Sequence, residues 1–265
     1  MSIVKDLEWT FNTKAETYEK MRPGYVPDLY DDIFKLADVN ANSNVVEIGI
    51  GGGQATLPIL KTGCRLTAVE YGENFAQICR EKFKDYSSFL IIVGKFEEVA
   101  LKENFYNLIF SASAFHWIPE EIGYPKVLNL LKSGGVFARF ANHPYRNKGN
   151  PDLAKVIDHI YALYYYKFYN KTPQILQEYS EQEASARADI AKKYGFVDVS
   201  YKLYNRTRIF TSEEYIELLG TYSDHIAIEE NIRKKFFSEI KSAIDNFGGK
   251  IDIYDTIDLQ LARKQ

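Results

Sequence analysis

Residues 45–53 read Val-Val-Glu-Ile-Gly-Ile-Gly-Gly-Gly, an apolar run that leads directly into a glycine loop. The acidic residue and the glycines follow a Glu-x-Gly-x-Gly-x-Gly pattern, at Glu47, Gly49, Gly51 and Gly53. A second apolar run, residues 65–69, ends on Glu70. Glycines allow a ligand to approach the backbone closely, and a carboxylate can accept hydrogen bonds from ribose hydroxyls. Together these features predict a site that holds a nucleoside.

The spacing of the glycines indicates which nucleoside is held. A dinucleotide fingerprint counted from Gly49 needs a glycine at position 54, where Gln54 stands, and a phosphate-binding loop ending in Gly-Lys-Ser/Thr is absent. The pattern resembles motif I of the class I S-adenosylmethionine-dependent methyltransferases. In that family, the acidic residue of the first strand and its glycines face the methionine part of the cofactor. The acidic residue of the second strand holds the ribose.

This resemblance implies a cofactor site at the carboxyl ends of the first strands, where open parallel sheets bind their ligands. The segment after the third strand matches the family's adenine contacts, with Phe96 on the ring face and Glu97 near the amino group. Tyr71 either packs on the ribose or covers the helix that follows it. The residues predicted to bind S-adenosylmethionine are Glu47, Gly49, Gly51, Gly53, Glu70, Tyr71, Phe96, Glu97, Ser111 and Ala112.

Residues 107–118 resemble motif IV and the His-Trp that follows it in the group containing trans-aconitate methyltransferase. Many relatives have an aspartate where Asn107 stands, so the family's charge is missing at that position. A histidine side chain titrates near neutral pH. His116, the predicted catalytic residue, can therefore orient or deprotonate a nucleophile, unless it is a core histidine satisfied by the backbone. Phe115 is predicted to border the methyl donor, and Trp117 is predicted to form a wall of the pocket.

A second match lies near the N-terminus, where Tyr18 precedes the segment Arg22-Pro-Gly-Tyr-Val-Pro. Similar segments open many small-molecule methyltransferases of this group and fold over the cofactor. The resemblance therefore implies that Tyr18, Arg22 and Tyr25 face the donor or the acceptor. Arginine suits bidentate capture of a carboxylate, although a turn with Arg22 as a surface charge would explain the same residues. The full set of predicted substrate contacts is Tyr18, Arg22, Tyr25, Phe115, Trp117 and Tyr222.

Composition limits the class of protein. With 265 residues, of which 46% are hydrophobic and 26% charged, the chain is typical of one elaborated globular domain. The net charge of −3 and a pI near 5.9 argue against a nucleic-acid partner. No apolar run reaches the length of a bilayer span, and the N-terminus has no apolar signal core. Neither the two cysteines nor the histidines show ligand spacing, so we predict no metal site. The two cysteines are expected to be ordinary buried thiols in a reducing compartment, so we predict a cytoplasmic protein. The expected form is a monomer or a homodimer.

Short apolar runs alternate with amphipathic stretches from residue 44 to residue 142, which predicts a parallel sheet with helices on both faces. Asn74 is a candidate helix cap, Gly134-Gly135 is expected to stop the helix that contains residues 127–131, and Thr211-Ser-Glu-Glu is a capping box. The predicted fold class is α/β, a Rossmann-like class I methyltransferase fold with seven mostly parallel strands, a final antiparallel strand and a helical lid. The predicted strands are 45–48, 65–70, 89–93, 108–111, 136–140, 196–209 and 251–261.

The predicted organisation is a single domain, residues 1–265. Its parts are an N-terminal helical cover (1–40), a cofactor-binding core (41–144), a helical lid insertion (145–195) and C-terminal strands and helices that complete the sheet (196–265). Tyrosines at helical spacing in the insertion either close a pocket or form the buried side of a helix.

The predicted activity is transfer of a methyl group from S-adenosylmethionine, in line, to a small-molecule acceptor, with a carboxylate or another oxygen expected. The sulfonium methyl is already activated, so positioning and exclusion of water suffice and no obligatory base is required. The alternative is a non-catalytic protein that binds S-adenosylmethionine or S-adenosylhomocysteine. A nicotinamide oxidoreductase is a third hypothesis, and the missing glycine at position 54 counts against it.

Overall fold

A computed structural model describes residues 21–22 and 24–265 of the chain. Its helices are α1 (Pro27–Ala37), α2 (Thr56–Leu60), α3 (Glu73–Lys82), α4 (Glu120–Leu130), α5 (Pro151–Tyr161), α6 (Glu181–Lys193), α7 (Ser212–Leu219), α8 (Ser223–Ile226) and α9 (Glu230–Asn246). A 3-10 turn covers Phe115–Trp117, and a π-helical turn covers Ala162–Tyr166. The strands are β1 (Asn44–Ile48), β2 (Arg65–Glu70), β3 (Phe89–Val93), β4 (Tyr106–Ala112), β5 (Leu131–Tyr145), β6 (Val197–Thr211) and β7 (Lys250–Arg263).

The seven strands form one sheet in the order β3-β2-β1-β4-β5-β7-β6. Strands β1 to β5 pair in parallel with their neighbours. Along β5 and β7 the bonded positions run in opposite directions: the N–H of Gly134 donates to the carbonyl oxygen of Lys264, whereas the N–H of Ala141, further along β5, donates to the side chain of Asp258. This pairing is antiparallel. The predicted mixed sheet of a class I methyltransferase fold is therefore confirmed.

Helices cover both faces of the parallel part of the sheet. Val45 of β1 belongs to one buried core with Leu29 of α1 and Ile59 of α2. The next residue, Val46, belongs to a second core with Val127 of α4. Successive side chains of a strand point to opposite faces, so both faces of β1 are buried. This explains why the central strands read as continuous apolar runs instead of alternating ones.

The described residues divide into two compact units. The sheet unit comprises residues 24–142, 179–204 and 257–265, and it contains both cores described above. The helix-rich unit comprises residues 21–22, 143–178 and 205–256, with its own core around Ile157, Phe236 and Ile240. The predicted lid of residues 145–195 is divided between them, since α6 packs in the sheet unit through Ala191. The spacing of apolar residues in α6 does not indicate which unit this helix joins.

Two local expectations were wrong. Helix α3 begins at Glu73 and takes Gly72 as its N-cap, so Asn74 lies inside the first turn and is not the N-cap residue. Helix α4 ends at Leu130, and the glycines that were expected to stop it lie within β5. A Cβ at Gly135 would lie only 2.8 Å from the carbonyl oxygen of Tyr106 on β4. The capping box at Thr211 is present as predicted.

Candidate active site

The glycine loop joins β1 to α2 in the sheet unit. Gly49, Gly51 and Gly53 have φ angles of 70°, 53° and 73°, in the left-handed region that other residues rarely adopt. A Cβ at Gly49 would lie 2.4 Å from the Cβ of Ala114, and one at Gly53 would lie 2.6 Å from the ring of Phe83. The backbone conformation and the lack of space therefore both require glycine at these two positions.

Helix α3 holds the loop from the side. The thiol of Cys79 donates a hydrogen bond to the carbonyl oxygen of Gly51 at 3.1 Å, and the ammonium of Lys82 donates to that of Gly52 at 2.9 Å. Cys79 lies on the buried side of α3, and Lys82 is its last residue. The loop is therefore held by side chains that are distant from the glycines in the sequence.

Glu70, at the end of β2, lies against the same loop. Its Oε2 accepts the N–H of Gly51 and its Oε1 accepts the N–H of Gly72, each at 2.9 Å. Burial raises the pKa of this carboxyl, and the backbone hydrogen bonds oppose that rise. A carboxylate has about four acceptor positions, so two bonds leave acceptor capacity at the ends of β1 and β2. The structure thus brings together the loop and the carboxylate that the sequence singled out.

Glu47 of β1 is fully buried beneath the loop. Its Oε2 accepts a hydrogen bond from the hydroxyl of Thr56 at 2.8 Å, whereas its Oε1 has no partner within the described part of the chain. Burial raises the pKa of this carboxyl to about 8, a rise that the Thr56 hydrogen bond only partly offsets. An unpaired buried oxygen of this kind is costly, and a ligand that donates a hydrogen bond or carries a positive charge would complete it.

Two further polar atoms of this region are buried without a partner among the described residues. They are the hydroxyl of Tyr30, on α1, and Nε2 of Gln54, in the glycine loop. Burial raises the pKa of Tyr30, and the neighbouring Tyr25 and Glu47 raise it further, which places the hydroxyl close to the Glu47 carboxyl. Sequence reasoning missed Tyr30, Thr56 and Gln54 as site residues. The only available signal was their position on the helix before the first strand or immediately after the glycines.

The end of β4 borders the loop. Ser111 is buried, and its hydroxyl donates to the carbonyl oxygen of Ile48 at 3.0 Å, while Ala112 is partly buried. Beyond them, the hydroxyls of Tyr25 and Ser113 lie 2.9 Å apart, and the Tyr25 ring meets Phe140 edge-on at 4.7 Å. Tyr25 therefore contacts the residue that follows β4 and a residue of β5, and its role toward the donor or the acceptor stays a prediction.

The predicted adenine contacts lie in different environments. Phe96 is buried in the second core, and the ammonium of Lys126 lies 5.1 Å from its ring centroid. Lys126 also donates to the backbone carbonyl of Glu97 at 3.1 Å, and the Glu97 residue is partly buried. Tyr71 is half-exposed, with Lys95 5.4 Å from its ring. Their roles toward adenine stay predictions.

The three residues of the His-Trp segment form the 3-10 turn after β4. Phe115 is buried and packs against Tyr124 and Phe137, with ring centroids 5.1 and 5.0 Å away. His116 and Trp117 are exposed, and their rings lie 4.9 Å apart. Because the His116 side chain is at the surface, it is not the buried core histidine that was the alternative, and its catalytic role stays a prediction.

The remaining predicted substrate contacts lie in the helix-rich unit or outside the described residues. Arg22 donates from Nε to the hydroxyl of Thr221 at 3.2 Å, and its guanidinium lies 4.2 Å from the ring centroid of Tyr222. The structure therefore places two of the predicted contacts, Arg22 and Tyr222, side by side. Tyr18 lies outside the described residues. Of the residues described, no group of three or more His, Cys, Asp or Glu side chains could hold a metal ion.

A family described as the methyltransferase domain matches residues 46–138. This range begins in β1, includes the glycine loop, Glu47 and Glu70, and ends in β5. Residues 46–138 therefore form a methyltransferase domain, and the protein is an S-adenosylmethionine-dependent methyltransferase. Its cofactor is S-adenosylmethionine. The unpaired oxygen of Glu47 suits the positive charge of this ligand, and the glycines of the loop, which lack side chains, suit its nucleoside. None of the described helices of this methyltransferase is both long and apolar enough to cross a bilayer.

Several known proteins are similar to this methyltransferase. An uncharacterized methyltransferase of Schizosaccharomyces pombe is 22% identical over 89% of this chain and 87% of its own length. The structure described as a type II methyltransferase from Anaeromyxobacter dehalogenans gives a TM-score of 0.61 at 18% identity, covering 91% of this chain and 97% of that one. A Haemonchus contortus phosphoethanolamine N-methyltransferase 2, with phosphomonomethylethanolamine and S-adenosylhomocysteine, gives 0.55 at 16% identity, covering 100% of this chain and 60% of that one. At these identities the structures establish the fold alone.

Proposed function

We propose that this methyltransferase acts on a small molecule that carries an acidic group, and that an oxygen, a carboxylate first, receives the methyl group. S-adenosylmethionine supplies an activated methyl on a positive sulfonium. The protein then has to place the acceptor in line with that methyl and exclude water, and such positioning is worth up to about 7–11 kcal/mol. A nearby general base is not needed for a carboxylate acceptor, which is already ionised at neutral pH.

In this proposal the two buried carboxylates have separate roles. Glu47 faces the ammonium of the cofactor's methionine part through Oε1, the oxygen that lacks a partner among the described residues. Glu70 keeps its bonds to the loop and uses its remaining acceptor capacity for the ribose hydroxyls. The observation that carries the assignment is the unpaired oxygen of Glu47 beneath a glycine loop that excludes any larger residue.

The small-molecule acceptor is supported by charge. A net charge of −3 gives no overall attraction for a nucleic-acid backbone. Arg22, beside Tyr222, offers a cation with an aromatic neighbour, which suits an acidic group on a compact ligand. His116 remains our candidate for orienting the acceptor. Nitrogen and carbon acceptors are the competing outcomes of the test below. We also retain a cytoplasmic monomer or homodimer as the expected form.

The test is transfer of a labelled methyl group from S-adenosylmethionine to separate fractions of metabolites, RNA and protein. We expect label in the metabolite fraction, and release of labelled methanol from the product on mild base treatment, because methyl esters hydrolyse and methylated amines or carbons do not. Label confined to RNA or protein would contradict the small-molecule proposal. A base-stable metabolite product would keep the small molecule and overturn the carboxylate.

A further inference from the structure

The helix-rich unit buries arginine side chains that the methyl-donor site does not use. Arg206 and Arg208 of β6 both bind Asp255 of β7, whose side chain is fully buried. Arg206 Nη2 lies 3.0 Å from Asp255 Oδ2, and Arg208 Nη2 lies 2.8 Å from Oδ1. One buried carboxylate is therefore shared by two guanidinium groups, and its two oxygens cannot engage every N–H of both.

A further arginine of this unit, Arg146, binds one acidic residue and one aromatic ring. Its Nη2 forms an ion pair with Asp158, and its guanidinium carbon lies 4.6 Å from the ring centroid of Tyr161. The side chain of Arg146 is 12% exposed and that of Arg208 is 13% exposed. Both arginines are thus charged groups that are nearly withdrawn from water.

Each of the two side chains keeps one buried N–H donor without an acceptor. The atoms are Nε of Arg146 and Nη1 of Arg208, and neither has a hydrogen-bond partner within the described part of the chain. Buried donors of charged groups rarely lack an acceptor, because without a hydrogen bond nothing offsets the cost of removing them from water. Two such donors in one unit indicate a missing acceptor.

Tyr215 of α7 connects the two arginines. Burial raises the pKa of its hydroxyl to about 12; the charges of Arg146 and Arg208 oppose that rise, and the carboxylate of Asp158 adds to it. Both guanidinium groups therefore lie near enough to Tyr215 to act on the same hydroxyl. A single acceptor placed beside that hydroxyl is in the electrostatic range of both arginines.

We propose that Arg146, Arg208 and Tyr215 form an oxyanion-binding site in the helix-rich unit, which takes the carboxylate or phosphate group of a small ligand. Guanidinium N–H groups and a phenolic hydroxyl are donors that match such an oxyanion. A water molecule would satisfy one donor without adding a negative charge, whereas an oxyanion supplies several acceptor lone pairs and the charge together.

The experiment is calorimetric titration of the full chain with succinate, inorganic phosphate and the neutral dimethyl succinate, at one ionic strength. S-adenosylhomocysteine is titrated into every sample as an independent measure of the methyl-donor site. We expect succinate or phosphate to bind and dimethyl succinate not to bind, and the preferred ion identifies the acidic group. Failure of both anions to bind a protein that still binds S-adenosylhomocysteine would overturn the site and leave the methyltransferase assignment intact.

Three variants locate the binding. Arg208→Lys keeps a positive charge for Asp255 and removes the donor Nη1, and we expect the anion Kd to rise about tenfold or more. Tyr215→Phe removes only a hydroxyl and should raise the Kd by a smaller factor. Arg233→Lys is the matched control, because Arg233 belongs to the same unit but donates to the carbonyls of Ile226 and Ile228. Equal anion Kd values for all four proteins would refute the assignment, and retained S-adenosylhomocysteine binding shows that a variant is folded.

Discussion

Binding of the cofactor should release a proton, because Glu47 is held as a neutral acid in the free protein. Burial raises the pKa of this carboxyl to about 8, and its Oε1 has no partner among the described residues. The methionine part of the cofactor carries an ammonium group that favours the ionised carboxylate. The proton on Glu47 must then leave as the cofactor binds.

The size of the effect follows from the pKa of about 8. At pH 6.5, about 97% of a group with that pKa is neutral, so binding should release about one proton per cofactor. The apparent affinity should rise about 30-fold between pH 5.5 and pH 7.0, because the fraction of ionised Glu47 rises by that factor. The direction is fixed by the sign of the shift: a carboxyl whose pKa is raised opposes cation binding at low pH.

Calorimetry with S-adenosylhomocysteine at pH 6.5, in buffers of different ionisation enthalpy, measures the number of protons directly. The Glu47→Gln variant keeps the shape of the neutral acid and can still accept from Thr56, so it separates charge from packing. In that variant the proton release should vanish and the pH dependence should flatten. A wild-type protein that binds S-adenosylhomocysteine without proton release, or with the same affinity at both pH values, would refute the reasoning.

Three further predictions follow from the same loop. Between pH 4.5 and pH 8, Glu47 is ionised in the unfolded chain but not in the folded protein. The free energy of unfolding should therefore fall by about 3 kcal/mol between pH 4.5 and pH 7. Urea titrations should show this fall in the wild type and not in Glu47→Gln. Glu70→Ala should weaken S-adenosylhomocysteine binding by about 1.5–3 kcal/mol in calorimetry, whereas the exposed Glu73→Ala should not. Gly49→Ala should lower the thermal midpoint by several degrees, because the new Cβ would meet Ala114 at 2.4 Å and the φ of +70° is unfavourable; an unchanged midpoint would show that the loop can relax.

The parts of the site that depend on local backbone chemistry could be predicted from the sequence. Gly49 and Gly51 could be identified because they follow an apolar strand directly, and both adopt the left-handed conformation. Glu70 could be identified because it ends the next strand. Side-chain direction could not be obtained in this way. Phe96 and Phe115 follow strand ends as expected, yet both pack into the second core, because the short segments after β3 and β4 turn them inward.

Residues that contact the site through long-range packing could not be predicted from the sequence either. Tyr30 precedes the glycine loop by a helix and a strand, and only the packing of α1 against β1 brings its hydroxyl near Glu47. The same holds for Cys79 and Lys82, which hold the loop from α3. Helical periodicity predicts that such residues are buried, but it does not indicate which strand end they face.

The two carboxylates also explain why the glycine loop suits a sulfonium nucleoside better than a nicotinamide dinucleotide. A dinucleotide places its pyrophosphate against the first glycine turn, where backbone N–H groups of the loop and helix must receive its negative charge. Here the N–H of Gly51 is already bound to Glu70, and the buried Glu47 lies below the same turn. A pyrophosphate would displace the first bond, and its negative charge would oppose the ionisation of both acidic side chains. A ligand with an ammonium and a sulfonium favours that ionisation instead, so the two acidic side chains add a preference for the methyl donor to the one that the glycine spacing already indicates.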